Sequence, residues 1–376
     1  MPHNRAVLEF SQAIRRIPVY PAGAGYAQTG PLIRLESNES PYPPIPEVVA
    51  AAAAALAGAN RYPDPDNTLL RDGLAARYGV PAEQIAIGNG SCDVLLALGE
   101  ALLDPGTELV HAWPSFSVYP QLEAASGARA IRVPLDRDER HDLGALAAAI
   151  TPATRLVIVC NPNNPTSTAL RLREIAGFVD EVPPDVCVLI DEAYCEFNSL
   201  DPPDASLELL ARHENLVLLR TFSKVYGLCG LRAGYALCGS TRITQALKLI
   251  RQPFFCNAAA QAAATEALLH PGEVSRRVDA ARVARAEMAE RLRELGIEPA
   301  DSQANFCWFD LPAGVGEAGV VRALAEQGIL VRAGAALGKA GALRVSFGTR
   351  EENQSFVEAL AELLDTGRIH SATALG

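Results

Sequence analysis

The stretch that decides the fold is Leu-Val-Leu-Leu-Arg-Thr-Phe-Ser-Lys, LVLLRTFSK (216–224). Its first four residues form a continuous apolar run, which predicts a strand buried on both faces, as in a parallel sheet covered by helices. Polar residues follow directly, up to Lys224. The pattern therefore predicts an internal strand that delivers a lysine to the carboxyl edge of a sheet.

Similar short apolar runs recur on both sides of this stretch and alternate with helical patterns. This rhythm predicts an α/β fold, with a large domain over residues 31–265 in which a mostly parallel mixed sheet lies between helices. Residues 1–30 and 266–376 are expected to form a smaller α+β domain. The predicted strands are 84–88, 108–112, 155–160, 186–191, 216–220 and 232–238, then 305–310, 330–332 and 342–347. The predicted helices are 91–103, 143–150, 172–182, 274–295 and 353–365.

Four of these strands run into polar motifs: GNGS (88–91), NPNNPT (161–166), DEAY (191–194) and TFSK (221–224). Ligands of open α/β sheets bind outside the carboxyl ends of the strands. We therefore expect these four motifs to meet at one rim of the sheet.

The chemistry of these residues suggests one kind of ligand. A helix that starts at Gly90-Ser91 offers free N–H groups to a phosphate. Asp191 at the end of a buried strand needs a cationic partner, and a partly buried Lys224 can act as a Schiff-base amine. Together they call for a cofactor with a phosphate, a basic ring nitrogen and an aldehyde. NAD is disfavoured because the third glycine of its fingerprint is missing.

Composition narrows the class of protein. The chain has 376 residues and a net charge of −11, and we find no Lys/Arg cluster for a nucleic acid. No apolar run is long enough for a membrane span, and the start does not have the pattern of a signal peptide. Eight cysteines without a C-x-x-C pair favour reduced thiols over a metal site. We expect a cytoplasmic protein that binds neither membrane, nucleic acid nor metal.

The order of NPNNPT, DEAY, TFSK and GLR (230–232) resembles the fold-type I aminotransferases. Within them the chain is similar to the histidinol-phosphate aminotransferase family and shares features with the related aromatic (phenylalanine) aminotransferases. Further matches carry the resemblance over roughly residues 17–365: ESNE (36–39), RYP (61–63), PSF (114–116), QANF (303–306) and GTREE (348–352).

The resemblance implies the cofactor pyridoxal 5′-phosphate, held by Lys224 as a Schiff base. Lys224 would then move the proton on the reacting carbon, and Asp191 would keep the pyridine nitrogen protonated. Tyr194 and Asn164 would hydrogen-bond the phenolic oxygen of the ring. The other cofactor-binding positions that it implies are Ser91, Cys92, Phe116, Thr221, Ser223, Arg232 and, from the second subunit of a homodimer, Tyr62.

For the substrates, the resemblance assigns Arg344 to a carboxylate and places Asn38 in the substrate site. Arg332 and Tyr20 match positions that receive a substrate phosphate. Less specific interpretations remain open: Phe116 as core packing, Arg332 as an ordinary ion-paired arginine and Asn164 as a turn residue. Tyr20 is the most evenly balanced of these assignments.

The expected reaction is transamination of histidinol phosphate with 2-oxoglutarate, giving imidazole acetol phosphate and glutamate, as in histidine biosynthesis. Three positions depart from the common family pattern: Ser167, Cys92-Asp93 and Phe116. They and the motif NNPTST leave an aromatic amino acid aminotransferase as the alternative, whereas Arg350 favours histidinol phosphate. A decarboxylase on the same scaffold and a non-catalytic cofactor-binding protein are less favoured.

Overall fold

The computed structural model describes residues 14–17 and 31–365. Within them, the largest sheet has seven strands in the order β2-β8-β7-β6-β5-β3-β4. Six of the strands are parallel to one another, and only β8 runs antiparallel to its neighbours β2 and β7. The strands are β2 (Ile85–Gly88), β3 (Glu108–Trp113), β4 (Arg129–Pro134), β5 (Thr154–Cys160), β6 (Cys187–Asp191), β7 (Leu216–Thr221) and β8 (Gly234–Cys238).

The predicted mixed, mostly parallel sheet is confirmed, with two differences. Strand β4 was not predicted, because it is an edge strand with mainly exposed residues and lacks a continuous apolar run. The strand predicted from Arg232 begins only at Gly234, since Arg232 has a left-handed backbone with φ 63°.

Helices cover both faces of this sheet. One face carries a cluster that includes Leu95, Leu122 and Leu247, and the other a larger cluster that includes Leu74, Phe178 and Ala263. The strands between them are buried on both sides, which explains their continuous apolar sequences. The helices of this part are α1 (Pro46–Leu56), α2 (Thr68–Tyr78), α3 (Ser91–Leu102), α4 (Tyr119–Ser126), α5 (Leu143–Ala148), α6 (Leu172–Glu181), α7 (Leu207–Leu210), α8 (Thr241–Ile250) and α9 (Ala258–Ala267).

The carboxy-terminal region has a hydrophobic core of its own, with Met288, Phe309 and Phe356 among its buried members. Its antiparallel sheet has the order β11-β12-β9, and β1 pairs in parallel with β10. Helix α10 begins at a proline, which suits the first turn of a helix. The elements are β1 (Ile33–Arg34), α10 (Pro271–Glu294), β9 (Phe306–Asp310), α11 (Glu317–Glu326), β10 (Ile329–Leu330), β11 (Arg332–Ala333), β12 (Ala342–Ser346) and α12 (Arg350–Asp365).

Strand β1 ties the beginning of the described chain to this second core. Ile33 is the register partner of Ile329, and the backbone of Leu35 bonds to both Leu330 and Ser346. The domain boundary at residue 31 stays a prediction, but the segment just after it packs with the carboxy-terminal core. Among the described residues, none of the helices has the length and apolar character needed to cross a bilayer.

Candidate active site

A cavity of about 410 Å³ opens where the two cores meet, at the carboxyl ends of β2, β5, β6 and β7. Because β8 is antiparallel, it is the amino end of this strand that lies at the same rim, and Arg232 precedes it. The sequence prediction that four polar motifs converge is therefore confirmed. The predicted residues that line the cavity are Asn38, Ser91, Cys92, Phe116, Asn164, Asp191, Tyr194, Thr221, Ser223, Lys224, Arg232, Arg332 and Arg344.

Asp191 is buried at the end of β6, with 4% of its surface exposed. Burial raises the pKa of its carboxyl to about 6, although it accepts a hydrogen bond from Tyr119 Oη at 2.9 Å and one from the Ala193 amide at 3.2 Å. The ionised form lacks a cation in direct contact among the described residues. A protonated ring nitrogen in the cavity would supply one.

An anion cradle lies beside it, at the first turn of α3. Gly90 precedes the helix with φ 80° and leaves the first turn without a side-chain cap, so its N–H groups and dipole face the cavity. A Cβ at Gly90 would overlap the guanidinium of Arg232, which packs directly against this glycine. Arg232 has a left-handed backbone, and its side chain lies beside Gly90 at the start of α3. Its Nη1 donates to the carbonyl of Cys229 at 2.9 Å.

Two small polar residues after β7 line the same end of the cavity. Thr221 Oγ1 accepts a hydrogen bond from the amide of Ser223 at 3.0 Å, which fixes the turn that leads to the lysine. Cys92, in the first turn of α3, keeps its thiol protonated, because burial and then the charge of Asp191 raise its pKa. The half-buried Phe116 ring meets Tyr119 edge to face at 5.7 Å.

Lys224 reaches into the cavity from the turn after β7. Its Nζ donates to the carbonyl of Ser37 at 3.2 Å and lies 5.6 Å from the centre of the Tyr194 ring. Burial, followed by the positive charge of Arg344, lowers the pKa of this amine to about 8. The fraction of Lys224 that is neutral, and therefore nucleophilic, near physiological pH is much larger than for an ordinary lysine.

A hydrogen-bonded network joins the lysine side of the cavity to the second core. Tyr194 Oη accepts from Asn38 Nδ2 at 3.0 Å and from Asn164 Nδ2 at 3.5 Å. Arg344 Nη1 donates to Asn164 Oδ1 at 2.6 Å, and Ser346 Oγ donates to Asn38 Oδ1 at 3.0 Å. The network fixes the hydroxyl of Tyr194 and the guanidinium of Arg344 on either side of Asn164.

Arg332 and Arg344 are register partners on the antiparallel strands β11 and β12, and both are buried. Side chains directly opposite each other on one face of a sheet are close neighbours, and like charges in that arrangement repel. The Nε of Arg332 meets no acceptor in the described part of the chain. Such a pair of guanidinium groups is suited to bind an anion.

Among the described residues, one predicted position, Tyr62, is not part of the cavity lining. Tyr62 is 81% exposed and stacks on Phe254, with 4.4 Å between ring centres. Its contribution to a second subunit stays a prediction. Tyr20 lies outside the described residues.

Two residues of chemical interest at the site were not predicted from the sequence. Tyr119, in α4, donates to Asp191, and the buried Glu36 lines the cavity, although only its motif was noted. Neither lies at the end of a central strand, so the strand-end rule could not find them. Ser167 is one of the positions that depart from the common family pattern. Its φ of 61° lies in the left-handed region that glycine adopts most readily.

These residues fit pyridoxal phosphate. The glycine-lined cradle with Arg232 suits the phosphate, the buried Asp191 suits a cationic ring nitrogen, and Lys224, with its lowered pKa, suits an aldehyde. Fold and site thus define a pyridoxal-phosphate enzyme of fold type I.

Comparison with known proteins agrees with this class. The model of the family "Aminotransferase class I and II" matches residues 30–360. An aromatic amino acid aminotransferase from Streptomyces coelicolor is 42% identical over 96% of this chain and 97% of that protein. A histidinol-phosphate aminotransferase from Moorella thermoacetica is 41% identical over 89% of this chain and 86% of that protein.

Among solved structures, a histidinol-phosphate aminotransferase from Sinorhizobium meliloti, in complex with pyridoxal-5′-phosphate, superposes with a TM-score of 0.88. The two are 28% identical, and the match covers 96% of this chain and 99% of that one. The chain therefore belongs to the class I and II aminotransferase family and is a pyridoxal-phosphate-dependent enzyme.

Proposed function

We propose that this aminotransferase transfers the amino group of histidinol phosphate to 2-oxoglutarate, giving imidazole acetol phosphate and glutamate. The observation that carries the proposal is the buried pair Arg332 and Arg344, directly opposite each other on β11 and β12. A phosphate dianion balances two guanidinium charges, and so do the two carboxylates of glutamate. One pocket can then serve both amino donors in turn.

Bound pyridoxal phosphate supplies an aldehyde that takes up the amino group and a cationic ring that withdraws electrons from the substrate carbon. Lys224 removes a proton from that carbon and would return it to the carbon of the former aldehyde. A pKa of about 8 suits this proton transfer at neutral pH. Asp191 would keep the proton on the ring nitrogen. Tyr194 and Asn164 would hydrogen-bond the ring oxygen, and Phe116 would cover one face of the ring.

The other residues of the site hold the cofactor and the substrates in position. Ser91, Cys92 and Arg232 hold the cofactor phosphate, together with Ser223 and the nearby Thr221. Arg344 takes the substrate carboxylate of glutamate or shares the phosphate of the other donor with Arg332. Asn38 orients Tyr194 at the substrate side, through the 3.0 Å bond between them. Tyr20 completes the phosphate site, and Tyr62 of a second subunit reaches the cofactor, with the homodimer in the cytoplasm.

An aromatic amino acid aminotransferase is the second candidate. It is favoured by the relative from Streptomyces coelicolor, which is as similar to this chain as the histidinol-phosphate aminotransferase from Moorella thermoacetica. The apolar side chains of Phe116 and Leu337 also line the cavity. Against it, a phenyl side chain would leave Arg332 desolvated without an anion, which is costly.

The test compares donors under one set of conditions. Single-turnover amino transfer is measured with histidinol phosphate, phenylalanine and glutamate in parallel, followed by kcat/KM with 2-oxoglutarate as acceptor. We expect histidinol phosphate to exceed phenylalanine by at least about a hundredfold, since a charged donor uses both arginines. A kcat/KM for phenylalanine far above that for histidinol phosphate would replace this function by the second candidate. Carbon dioxide release without oxo-acid formation would instead identify a decarboxylase.

A further inference from the structure

The side chain of Glu36 is a charged group in the cavity to which the reaction described above assigns no part. It is 2% exposed and lines the cavity together with Arg332 and Leu337. Neither carboxylate oxygen accepts a hydrogen bond in the described part of the chain. The nearest cation is Arg34, whose Nη1 lies 3.7 Å from Oε1, beyond hydrogen-bond distance. Buried carboxylates are normally hydrogen-bonded, so this one lacks donors.

The backbone around Glu36 is fixed on the substrate side of the cavity. The carbonyl of Glu36 accepts from Arg344 Nη2 at 2.5 Å, and the carbonyl of Ser37 accepts from Lys224 Nζ at 3.2 Å. The amide of Asn38 donates to Ser346 Oγ at 2.7 Å. Three consecutive residues are thus tied to the substrate-carboxylate arginine, the catalytic lysine and the second core. Glu36 lines the cavity from this fixed segment, and both of its carboxylate oxygens are buried.

Charge balance indicates what this carboxylate can bind. The cavity lining near Glu36 includes the two guanidinium groups of Arg332 and Arg344 and a second carboxylate, that of Glu39. A phosphate dianion satisfies both arginines and leaves the buried carboxylate of Glu36 without a hydrogen-bond donor, with the 3.7 Å ion pair to Arg34 as its counter-charge. Burial raises the pKa of Glu36, while the charges of Arg34 and Arg332 act in the opposite direction. A ring N–H would provide the missing hydrogen-bond donor, and an imidazolium would also oppose the negative charges of Glu36 and Glu39.

We propose that Glu36 is a specificity-determining residue that accepts a hydrogen bond from a nitrogen-containing ring on the side chain of the amino donor. The inference rests on the proposed function, because it assumes that a phosphate occupies the arginine pair. In this arrangement the arginine pair binds the phosphate of the donor and Glu36 binds its ring. A phenyl ring in the same place would leave the carboxylate buried and unsatisfied.

The test uses two donors that differ only in the ring, histidinol phosphate and phenylalaninol phosphate. Their kcat/KM ratio isolates ring recognition, since the amine and phosphate are common to both. We expect Glu36→Gln, which keeps the shape but removes the charge, to lower this ratio roughly tenfold to a hundredfold, the range for a lost charge-assisted hydrogen bond. The control is Glu47→Gln, which removes the same charge from the exposed face of α1 and is expected to leave the ratio unchanged.

A second measurement is independent of turnover. Imidazolylpropyl phosphate and phenylpropyl phosphate lack the amine and bind without reacting, so calorimetry of the cofactor-loaded protein gives their Kd values directly. Glu36→Gln is expected to weaken the imidazole ligand by the same tenfold or more and to leave the phenyl ligand unchanged or bound more tightly. Glu36→Leu is expected to enlarge the effect and to improve the phenyl ligand.

Failure of the role of Glu36 and failure of the proposed function give different results. If Glu36→Gln weakens both rings equally, Glu36 acts only by holding the arginines in place and the inference is overturned. If the parent enzyme transfers amino groups from phenylalanine and ignores histidinol phosphate, it is the proposed function that fails. The pair of unreactive ligands then still tests Glu36, and an unchanged Kd ratio in Glu36→Gln refutes its role in recognising a ring nitrogen.

Discussion

Lys224 shows how much of a residue's chemistry depends on its surroundings. Its position after an apolar strand was evident from LVLLRTFSK, but its pKa depends on burial and on Arg344, which is far away in the sequence. A lysine amine reacts with aldehydes only when it is neutral. A pKa near 8 therefore extends its reactivity down to neutral pH.

We expect capture of pyridoxal phosphate by the cofactor-free protein to rise with pH and to level off, with a midpoint near pH 8 rather than at the usual lysine value of 10.5. Arg344→Met should move the midpoint upward, because it removes the positive charge that acts on the amine. Stopped-flow absorbance between pH 6 and about 10.5 measures this. Lys248→Ala, at an exposed lysine, is the control, and a parent midpoint at or above 10 would contradict the expectation.

Burial of the ionised Asp191 carboxylate makes the folded, cofactor-free protein less stable, although the proposed reaction needs this carboxylate. Burial raises its pKa from 3.8 to about 6, so the folded cofactor-free protein holds this proton more tightly than the unfolded chain does. The folded state therefore carries no penalty from this group below pH 3.8, and the penalty is fully developed above about pH 6. The shift corresponds to about 3 kcal/mol.

Asp191→Asn should therefore make the cofactor-free protein more stable than the parent at pH 7, by up to about 3 kcal/mol, with the difference vanishing near pH 4. The same variant should lose most of its activity, since the ring nitrogen loses its ionised partner. Denaturant unfolding of both cofactor-free proteins across this pH range provides the measurement. Asp279→Asn, at a 73% exposed carboxylate, should show neither effect. A less stable Asp191→Asn protein at pH 7 would show that burial of the charge is not the dominant cost.

At the scale of elements, the anion cradle depends on the antiparallel direction of β8. Only an antiparallel strand brings its amino end, and so Arg232, to the rim where the parallel strands end. At the start of this strand, a Cβ on Gly234 would overlap the backbone of Ser91, so the strand approaches the first turn of α3 as closely as a backbone can. The glycines and the arginine were visible in the sequence, but the strand direction that brings them together was not.

Gly90→Ala should weaken pyridoxal phosphate binding by at least about tenfold, which corresponds to 1.4 kcal/mol. The added methyl group would displace Arg232 and strain a backbone with φ 80°. Fluorescence titration of the cofactor-free variant measures the Kd. The control is Gly177→Ala in α6, where a Cβ meets no atom within 4 Å. It should leave the Kd unchanged and stabilise the fold by about 0.5–1 kcal/mol.

At the scale of the whole molecule, Tyr62 lies on the surface rather than at the cavity. Its 81% exposure, and the fact that it does not line the cavity, agree with the role in another subunit that the resemblance implies. Exposed leucines such as Leu69 and Leu249, at 76% and 88%, are further apolar surface that a second copy could cover.

A mixing experiment tests this arrangement. Tyr62→Ala and Lys224→Ala proteins are each expected to be nearly inactive at low cofactor concentration. In a mixed dimer, one site would combine Lys224 of one chain with Tyr62 of the other. An equal mixture should then recover about a quarter of the parent activity, because half of the dimers are mixed and each has one intact site. Activity that stays at the level of the unmixed variants would show that Tyr62 does not act across an interface.

By itself, the sequence determined the α/β class, the central strands and the convergence of four polar motifs, including Lys224, Asp191 and Tyr194. These follow from local patterns, because continuous apolar runs are a local signature of strands buried on both faces, and polar residues at their carboxyl ends must share a rim. Only the tertiary structure decided the edge strand β4, the bond from Tyr119 to Asp191 and the facing pair Arg332 and Arg344. It also placed Glu36 in the lining of the same cavity as that pair. Such arrangements depend on strand register and on contacts between distant segments, which no local period in the sequence encodes.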